Sequence, residues 1–359
     1  MQHRTNTQLH GLSSYKAGMS ISELREQHGL THIVKLASNE NPFGTSERVA
    51  QILRESITDL NLYPEVFCQS LEERLYGEFP EFRESAVVVG NGMDNILECV
   101  SRMLLESGES VLIPVPTFSY YEQVSVWRSA RIIFTEFDTQ SILHQLRTNK
   151  IKLLFLCSPN NPTGQQIPDL QVIINTCLEN NTYIFLDEAY IDFAPQSNCI
   201  NIINYPNVII GRTFSKIYGL AALRIGWAAM SRDLLDTYRK VQPPFVLSSL
   251  AIKAAIAALD DREFYDMSRR EIIAGRAYLA EQFRQLGFDV LDSAANFLAI
   301  QTQRAPELFR ELLQRGFILR HVGTNFRYSE SDMLRCSVGT PEQNQQLIEV
   351  LRDILHVRK

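Results

Sequence analysis

The sequence lacks three features that would place it in other classes of protein. It has no run of about 18 apolar residues that could cross a membrane, and no apolar signal core near its N-terminus. Its net charge is -6, so it has no broad positive surface for nucleic acid. Its six cysteines are scattered without a CxxC pair, which favours reduced thiols over disulfides or a zinc site. We therefore expect a cytoplasmic protein that binds no metal, membrane or nucleic acid.

What is present has the composition of a globular enzyme. Hydrophobic residues make up 45% of the chain and charged residues 21%. A chain of 359 residues is too long for one ordinary core, so two domains are expected. We predict an N-terminal arm over residues 1–35, a large domain over 36–245 and a small C-terminal domain over 246–359.

Nearly all-apolar strand patterns alternate with helical patterns in the middle of the chain. This alternation predicts an α/β fold with a mainly parallel sheet that is covered on both faces. The pattern changes after Pro243–Pro244 to long helices and short strands, which indicates a smaller α+β C-terminal domain. The strand candidates of the sheet are Ser110–Ile113, Ala130–Phe134, Ile151–Cys157, Tyr183–Asp187, Asn207–Gly211 and Ile225–Met230. Helical patterns along the chain lie at Ser20–His28, Ser46–Ile57, Cys68–Gly77, Tyr120–Trp127, Ser141–Arg147, Asp169–Glu179, Leu250–Leu259, Glu263–Leu286 and Pro341–His356.

Polar segments follow these strand candidates. In open α/β sheets a ligand lies beyond the carboxyl ends of the strands, so residues that follow different strands converge on one site. A further strand, Ala86–Val89, runs into Gly90–Asn91–Gly92 and then a helix, whose first amide groups suit a phosphate. The segments after the other strands are Pro116–Phe118, Ser158–Gly164, Asp187–Tyr190 and the segment around Lys216.

The segment Thr213–Gly226 places one lysine, Lys216, between small hydroxyl residues and ahead of one arginine, Arg224. A lysine amine becomes a nucleophile when burial or a neighbouring cation lowers its pKa. Serine, threonine and arginine are the side chains that hold a phosphate. A solvated loop lysine would be the ordinary interpretation, but the combination suits a lysine that forms a Schiff base with pyridoxal 5′-phosphate.

The other groups that this cofactor needs are present at the predicted strand ends. A carboxylate must keep the ring nitrogen protonated, and Asp187 ends a buried strand. Asn161 and Tyr190 can donate to the ring oxygen, and Phe118 can lie against the ring face. Each residue is ordinary by itself, and their joint placement carries the prediction. The candidates for the phosphate are Thr213, Ser215, Arg224 and the amides of Met93 and Asp94.

From about Tyr15 onward, the sequence resembles the fold-type I, pyridoxal-phosphate-dependent aminotransferases, and among them the histidinol-phosphate aminotransferase family. Ser158–Gly164 and the Lys216 segment are typical of fold type I as a whole. Two further motifs, Lys35–Pro42 and Leu334–Thr340, are typical of the histidinol-phosphate branch. The resemblance also includes Asn61–Pro64, Gly90–Asp94 and Asp187–Tyr190.

The resemblance implies further roles for individual residues. Lys216 would act as the base that moves the substrate's proton, and Asp187 and Tyr190 would complete the catalytic set. Arg335 would bind the substrate carboxylate, while Tyr15 and Arg320 would meet the phosphate-bearing end of the substrate. The family also implies a homodimer, in which Tyr63 reaches the cofactor of the other subunit.

The implied reaction is the transfer of an amino group from L-histidinol phosphate to 2-oxoglutarate, in histidine biosynthesis. The chain departs from the family pattern at Leu62, Asn95 and Val246–Ser248, the last of which lies near the far wall of the expected site. Two alternatives of the same branch are an aromatic amino acid aminotransferase and a threonine-phosphate decarboxylase. A third alternative, from another class, is a pyridoxal-phosphate-binding protein without turnover, such as a regulator.

Overall fold

The structure is a computed structural model that describes residues 7–12, 18–195, 205–323 and 333–356. Its strands are β1 (Val34–Lys35), β2 (Ala86–Asn91), β3 (Ser110–Val115), β4 (Arg131–Glu136), β5 (Leu153–Cys157), β6 (Tyr183–Asp187), β7 (Val208–Thr213), β8 (Ile225–Met230), β9 (Asp289–Val290), β10 (Phe297–Gln301), β11 (Phe317–Ile318), β12 (Arg320–Val322) and β13 (Met333–Ser337). Its α-helices are α1 (Ile21–His28), α2 (Glu47–Ser56), α3 (Gln69–Glu78), α4 (Gly92–Leu104), α5 (Tyr120–Trp127), α6 (Thr139–Thr148), α7 (Leu170–Glu179), α8 (Leu235–Val241), α9 (Ser249–Leu259), α10 (Arg262–Gln285), α11 (Ala305–Gln314) and α12 (Pro341–His356).

A seven-stranded sheet forms the centre of the fold. Its strand order is β2-β8-β7-β6-β5-β3-β4. Strand β8 runs antiparallel to both of its neighbours, and the other pairs in the sheet are parallel. The predicted α/β fold with a mainly parallel sheet is therefore confirmed. Because six strands point the same way, the segments that follow β3, β5, β6 and β7 lie at one edge of the sheet.

Helices cover both faces of this sheet, which explains why its strands are apolar throughout. Alternate residues of one strand belong to two different core clusters. In β6, Ile184 and Leu186 pack in the larger cluster, whereas Phe185 packs in the second cluster on the other face. In β5, Phe155 likewise faces the second cluster while Leu154 faces the first. Both faces of the strand are thus shielded from water, and only its carboxyl end reaches the site.

The C-terminal part of the chain builds a second, four-stranded antiparallel sheet in the order β12-β13-β10-β9. In a separate two-stranded sheet, β1 from the N-terminal part of the chain pairs in parallel with β11 from the C-terminal part. This pairing places the loop that follows β1 between the C-terminal sheet and the large sheet. The positions of the domain boundaries stay a prediction.

The predicted elements agree with the structure to within a few residues at most boundaries. Two helices, α8 and α11, were not predicted. Helix α11 begins with Ala305–Pro306, and proline is accepted in the first turn of a helix because its missing N–H has no role there. Among the described residues, no helix combines the length and the apolar composition needed to cross a membrane.

Candidate active site

A cleft of about 510 Å³ opens at the carboxyl edge of the large sheet, and its size is typical of a small-molecule site. It is lined by residues of the large sheet, of the β12–β13 pair and of the loop after β1. Most of the predicted site residues line this cleft: Met93, Asp94, Phe118, Asn161, Asp187, Tyr190, Thr213, Ser215, Lys216, Arg224, Arg320 and Arg335.

Lys216 lies in the middle of the cleft, three residues after the end of β7. Its Nζ donates a hydrogen bond to the carbonyl of Ser38 at 3.2 Å and lies over the ring of Tyr190. Burial, with the nearby charge of Arg335, lowers the pKa of the Lys216 amine to about 8. A larger fraction of this amine is therefore neutral, and able to accept a proton or form a bond, than for an ordinary lysine.

Asp187 ends β6 with its carboxyl group inside the protein. Its Oδ2 accepts a hydrogen bond from the hydroxyl of Tyr121 at 2.7 Å, and its Oδ1 accepts one from the amide of Ala189 at 2.9 Å. Burial raises the pKa of this carboxyl to about 6, against the lowering effect of the two hydrogen bonds. Among the residues that the structure describes, none forms a salt bridge with Asp187. A buried carboxylate of this kind is costly unless a cationic group comes to lie beside it.

The start of α4 and the segment after β7 meet at one corner of the cleft, called here the Arg224 corner. Arg224 forms an ion pair with Asp94 at 3.0 Å, next to the first turn of α4. Gly92 has a φ of +73°, and a Cβ there would come within 2.6 Å of the Arg224 guanidinium. A Cβ on Gly226 would come within 2.7 Å of the Met93 amide. Glycine at both positions is what brings the arginine and the helix amides together.

Asn161 and Tyr190 have their acceptor atoms already in use. The Oδ1 atom of Asn161 accepts a hydrogen bond from Arg335, and the hydroxyl oxygen of Tyr190 accepts one from Asn39 Nδ2 at 3.1 Å. Their donor groups, the Asn161 Nδ2 amide and the Tyr190 O–H, are then the groups suited to an acceptor in the cleft. This arrangement fits the predicted role of both residues as donors to a ring oxygen.

Arg320 and Arg335 face each other across two antiparallel strands. They are directly opposed in the pairing of β12 with β13, and both line the cleft. Arg335 is buried and also donates to the carbonyl of Ala37 at 2.6 Å. Like charges directly opposite each other destabilise a strand pair. An anionic substrate group between the two side chains would remove that repulsion.

One predicted site residue that the structure describes, Tyr63, does not line this cleft. Tyr63 is 84% exposed and stacks on Phe245, with the ring centroids 4.8 Å apart. Its position is that of a surface residue in a single chain, so the structure does not bring it to the cofactor site of the same chain. Tyr15 lies outside the described residues.

Several residues that sequence reasoning missed also shape the site. Ser38 and Asn39 follow β1, and they contact Lys216 and Tyr190. Tyr121 was predicted only as part of a helix, and nothing in its local sequence indicates its bond to Asp187. Only the three-dimensional contact identifies it.

A buried ion pair lies behind the site and joins two of its strands. Arg212 Nε donates to Glu188 Oε2 at 2.9 Å, and their side chains are only 10% and 2% exposed. The guanidinium also lies over the rings of Phe79, Phe82 and Trp227, between 5.2 and 5.5 Å from their centroids. Because Glu188 follows Asp187 and Arg212 precedes Thr213, this pair ties the ends of β6 and β7 together.

The donors and acceptors of the cleft match pyridoxal 5′-phosphate along its length. Asp187 would pair with the protonated ring nitrogen, the amine of Lys216 would bond to the aldehyde carbon, and the Arg224 corner would hold the phosphate. The buried carboxyl of Asp187 is the strongest indication of this cofactor, because a protonated ring nitrogen beside it would stabilise its charge. The residues present therefore fit this cofactor.

Comparisons with known proteins identify the family. The model of the family "Aminotransferase class I and II" matches residues 31–351. The chain is 33% identical over 354 residues to a histidinol-phosphate aminotransferase of Methanococcoides burtonii, covering 96% of both proteins. It is 36% identical over 351 residues to one of Methanosarcina mazei, covering 94% of this chain and 93% of that protein.

A solved structure shares the whole fold. The histidinol-phosphate aminotransferase of Sinorhizobium meliloti, solved in complex with pyridoxal-5′-phosphate, superposes with a TM-score of 0.89 at 24% identity. The match covers 100% of this chain and 99% of that one, and it supports the fold. With the family match over almost the entire sequence, the chain belongs to the class I and II aminotransferases.

Proposed function

We propose that this aminotransferase moves the amino group of L-histidinol phosphate to 2-oxoglutarate and releases imidazole acetol phosphate and L-glutamate. The observation that carries the proposal is the opposed pair Arg320 and Arg335 in the cleft that holds Lys216. Two adjacent arginines suit a doubly charged phosphate on one substrate and a carboxylate on the other. The relatives from Methanococcoides burtonii and Methanosarcina mazei are named histidinol-phosphate aminotransferases, and these names support the same substrate.

The cofactor of the family is pyridoxal 5′-phosphate, which supplies an electron sink for the carbanion left when the substrate Cα loses its proton. Lys216 would hold the cofactor covalently, and its amine would accept and return the proton of the substrate Cα. Its lowered pKa of about 8 suits a group that accepts and returns a proton near neutral pH. Asp187 would keep the proton on the ring nitrogen, since its carboxylate is buried at the base of the cleft.

The remaining residues would bind and orient. The Arg224 corner, with Thr213, Ser215 and the first amides of α4, would hold the cofactor phosphate. Phe118 would lie against the ring face, and the donors of Asn161 and Tyr190 would bind the ring oxygen. Asn161 accepts a hydrogen bond from Arg335, and Tyr190 accepts one from Asn39. Binding of a substrate anion at Arg335 would therefore also fix the orientation of Asn161.

We further propose a homodimer. The surface segment around Tyr63 exposes large apolar side chains that a monomer would leave in water, with Ile57, Leu60, Leu62 and Tyr63 all at least 60% exposed. Phe245 continues this surface through its stacking on Tyr63. A second copy of the chain would cover it and would bring Tyr63 towards the partner's cofactor.

We also propose a cytoplasmic location. The described cysteines are all buried, unpaired thiols, which suits a reducing compartment. They are Cys68, Cys99, Cys157, Cys177 and Cys336.

A substrate panel tests the proposed reaction. Purified protein should use L-histidinol phosphate with 2-oxoglutarate far better than aromatic amino acids, and it should release no carbon dioxide from threonine phosphate. Borohydride treatment should attach the cofactor to Lys216, as located by a peptide map. Lys216→Ala should retain the fold and lose essentially all turnover. A preference for an aromatic amino acid would replace the proposed substrate, and labelling of a different lysine would contradict the proposed site.

A further inference from the structure

Tyr121 contacts the carboxylate of the site without having a place in the mechanism above. It lies in the first turn of the short helix α5 and is fully buried. Its hydroxyl donates to Asp187 Oδ2 at 2.7 Å, while the other carboxylate oxygen accepts from the amide of Ala189. Each oxygen of Asp187 therefore has one donor, and Tyr121 is the only side chain of the two.

Aromatic packing holds the Tyr121 ring in one position. The ring is stacked on Phe155 of β5, with centroids 5.1 Å apart and planes 7° apart. On another side Phe118 meets it edge-on at 5.7 Å, with an interplanar angle of 88°. A ring held in this way cannot turn its hydroxyl away from Asp187, so the hydrogen bond also fixes the orientation of the carboxylate.

The charge state of Asp187 depends on this bond. Burial raises the pKa of the Asp187 carboxyl to about 6, and the Tyr121 hydroxyl lowers it towards the ionised form. Burial raises the pKa of Tyr121 itself well above its usual value, so the phenol stays a neutral donor. Among the other groups that face Asp187, Lys216 favours its ionised form and Asp94 opposes it. The negative charge of Asp187 also raises the pKa values of three neighbouring groups, the thiol of Cys157, the phenol of Tyr190 and the carboxyl of Glu188.

We propose that Tyr121 is a positioning residue, whose hydroxyl keeps Asp187 ionised and correctly oriented to hold the proton on the ring nitrogen of pyridoxal phosphate. This inference rests on the proposed function, because it assigns Asp187 to that nitrogen. It predicts that Tyr121 affects cofactor binding through Asp187 alone, and not through the shape of the cleft.

Tyr121→Phe keeps the ring between Phe155 and Phe118 and removes only the hydroxyl. Equilibrium dialysis of the full chain against pyridoxal phosphate should show roughly 10- to 100-fold weaker binding, the usual loss for a hydrogen bond to a charged group. The midpoint of thermal unfolding without cofactor should stay close to that of the wild type. Tyr120→Phe is the matched control, because Tyr120 is not among the residues that line the cleft, and loss of its hydroxyl should leave binding unchanged.

The pH dependence gives a second readout that a merely structural role would not move. In the wild type, cofactor binding should weaken as the pH falls through about 6, where Asp187 takes up a proton. In Tyr121→Phe the carboxyl pKa is higher, so the same weakening should begin at a higher pH. Unchanged affinity together with an unchanged pH profile would overturn the inference.

A double-mutant cycle separates this inference from the proposed function. Asp187→Asn should weaken cofactor binding, and adding Tyr121→Phe to it should change the affinity by less than about twofold, because the shared partner is gone. A full effect of Tyr121→Phe in the Asp187→Asn background would show that the tyrosine acts by another route and overturn the inference. Normal cofactor binding by Asp187→Asn would instead contradict the role that the proposed function gives to Asp187.

Discussion

The buried pair Arg212–Glu188 gives the sharpest prediction about stability. Arg212→Met keeps an apolar side chain against the rings of Phe79, Phe82 and Trp227, but it leaves Glu188 without its ion-pair partner. Removal of one member of a buried pair costs about 3–5 kcal/mol of unfolding free energy at a pH where the other stays charged. For a protein of this length that loss lowers the unfolding midpoint by about 4–7 °C.

The size of the loss should depend on pH, and its sign follows from Glu188. Burial already raises the pKa of this carboxyl above its usual 4.5, and Arg212 opposes the rise. Without Arg212 the folded-state pKa rises further, so the folded protein keeps a proton that the unfolded chain releases. Stability then falls as the pH increases from the unfolded to the folded pKa, by about 1.4 kcal/mol per pH unit. Below about pH 4.5 both states are protonated and this part of the loss disappears.

The assay is thermal unfolding at pH 5 and pH 8, at one protein concentration and with saturating cofactor. The unfolding midpoint of Arg212→Met should lie much further below that of the wild type at pH 8 than at pH 5. The double variant Arg212→Met/Glu188→Gln should recover most of the difference at pH 8, because the buried charge of Glu188 is removed together with its partner. Equal losses at both pH values, or no recovery in the double variant, would refute the account of the pair as a buried charge held by its partner.

Two further predictions concern the substrate and the dimer. Arg335→Lys keeps the charge but loses the planar guanidinium. Transition-state stabilisation should therefore fall by about 2–4 kcal/mol, which lowers kcat/KM roughly 30- to 1,000-fold, while cofactor affinity stays the same. Equal rates for both proteins in both half-reactions would make Arg335 structural. Leu62→Asp should convert the dimer to a monomer in sedimentation at assay concentration, whereas Val172→Asp, on an exposed face of α7, should not. A Leu62→Asp protein that remains dimeric would place the interface elsewhere.

Local pattern was enough to predict the strands that build the site. Strands β6 and β8 have the bounds that the sequence predicted, because each is a short apolar run buried on both faces and ended by polar or turn-forming residues. Asp187 was predicted as a site residue for the same reason, since an acid at the end of such a run must meet a partner. The placement of Lys216 and Asn161 in one cleft follows from the shared direction of β7 and β5, and Arg224 reaches the same edge because it precedes the antiparallel strand β8.

Contacts between distant segments could not be predicted in this way. The bounds of α5 were predicted, yet its pattern of apolar residues does not say that the hydroxyl of Tyr121 meets an acid 66 positions later. The buried pair of Arg212 with Glu188 was missed for the same reason, because each residue sits beside a predicted site residue on a different strand. Hydrophobic periodicity predicts which face of a helix or strand is buried, but it does not predict which side chains that face will contact.

The pairing of β1 with β11 sets an order on the folding of the chain during its synthesis. Val34 pairs with Phe317, so the loop that carries Ser38 and Asn39 cannot take its place until almost the whole sequence has left the ribosome. The large sheet is also delayed, since β2 pairs only with β8 in the described structure. Such long-range pairings slow folding and expose unpaired strand edges meanwhile. A growing chain thus has no contact between Lys216 and Ser38, and the enzyme gains its complete active site only at the end of translation.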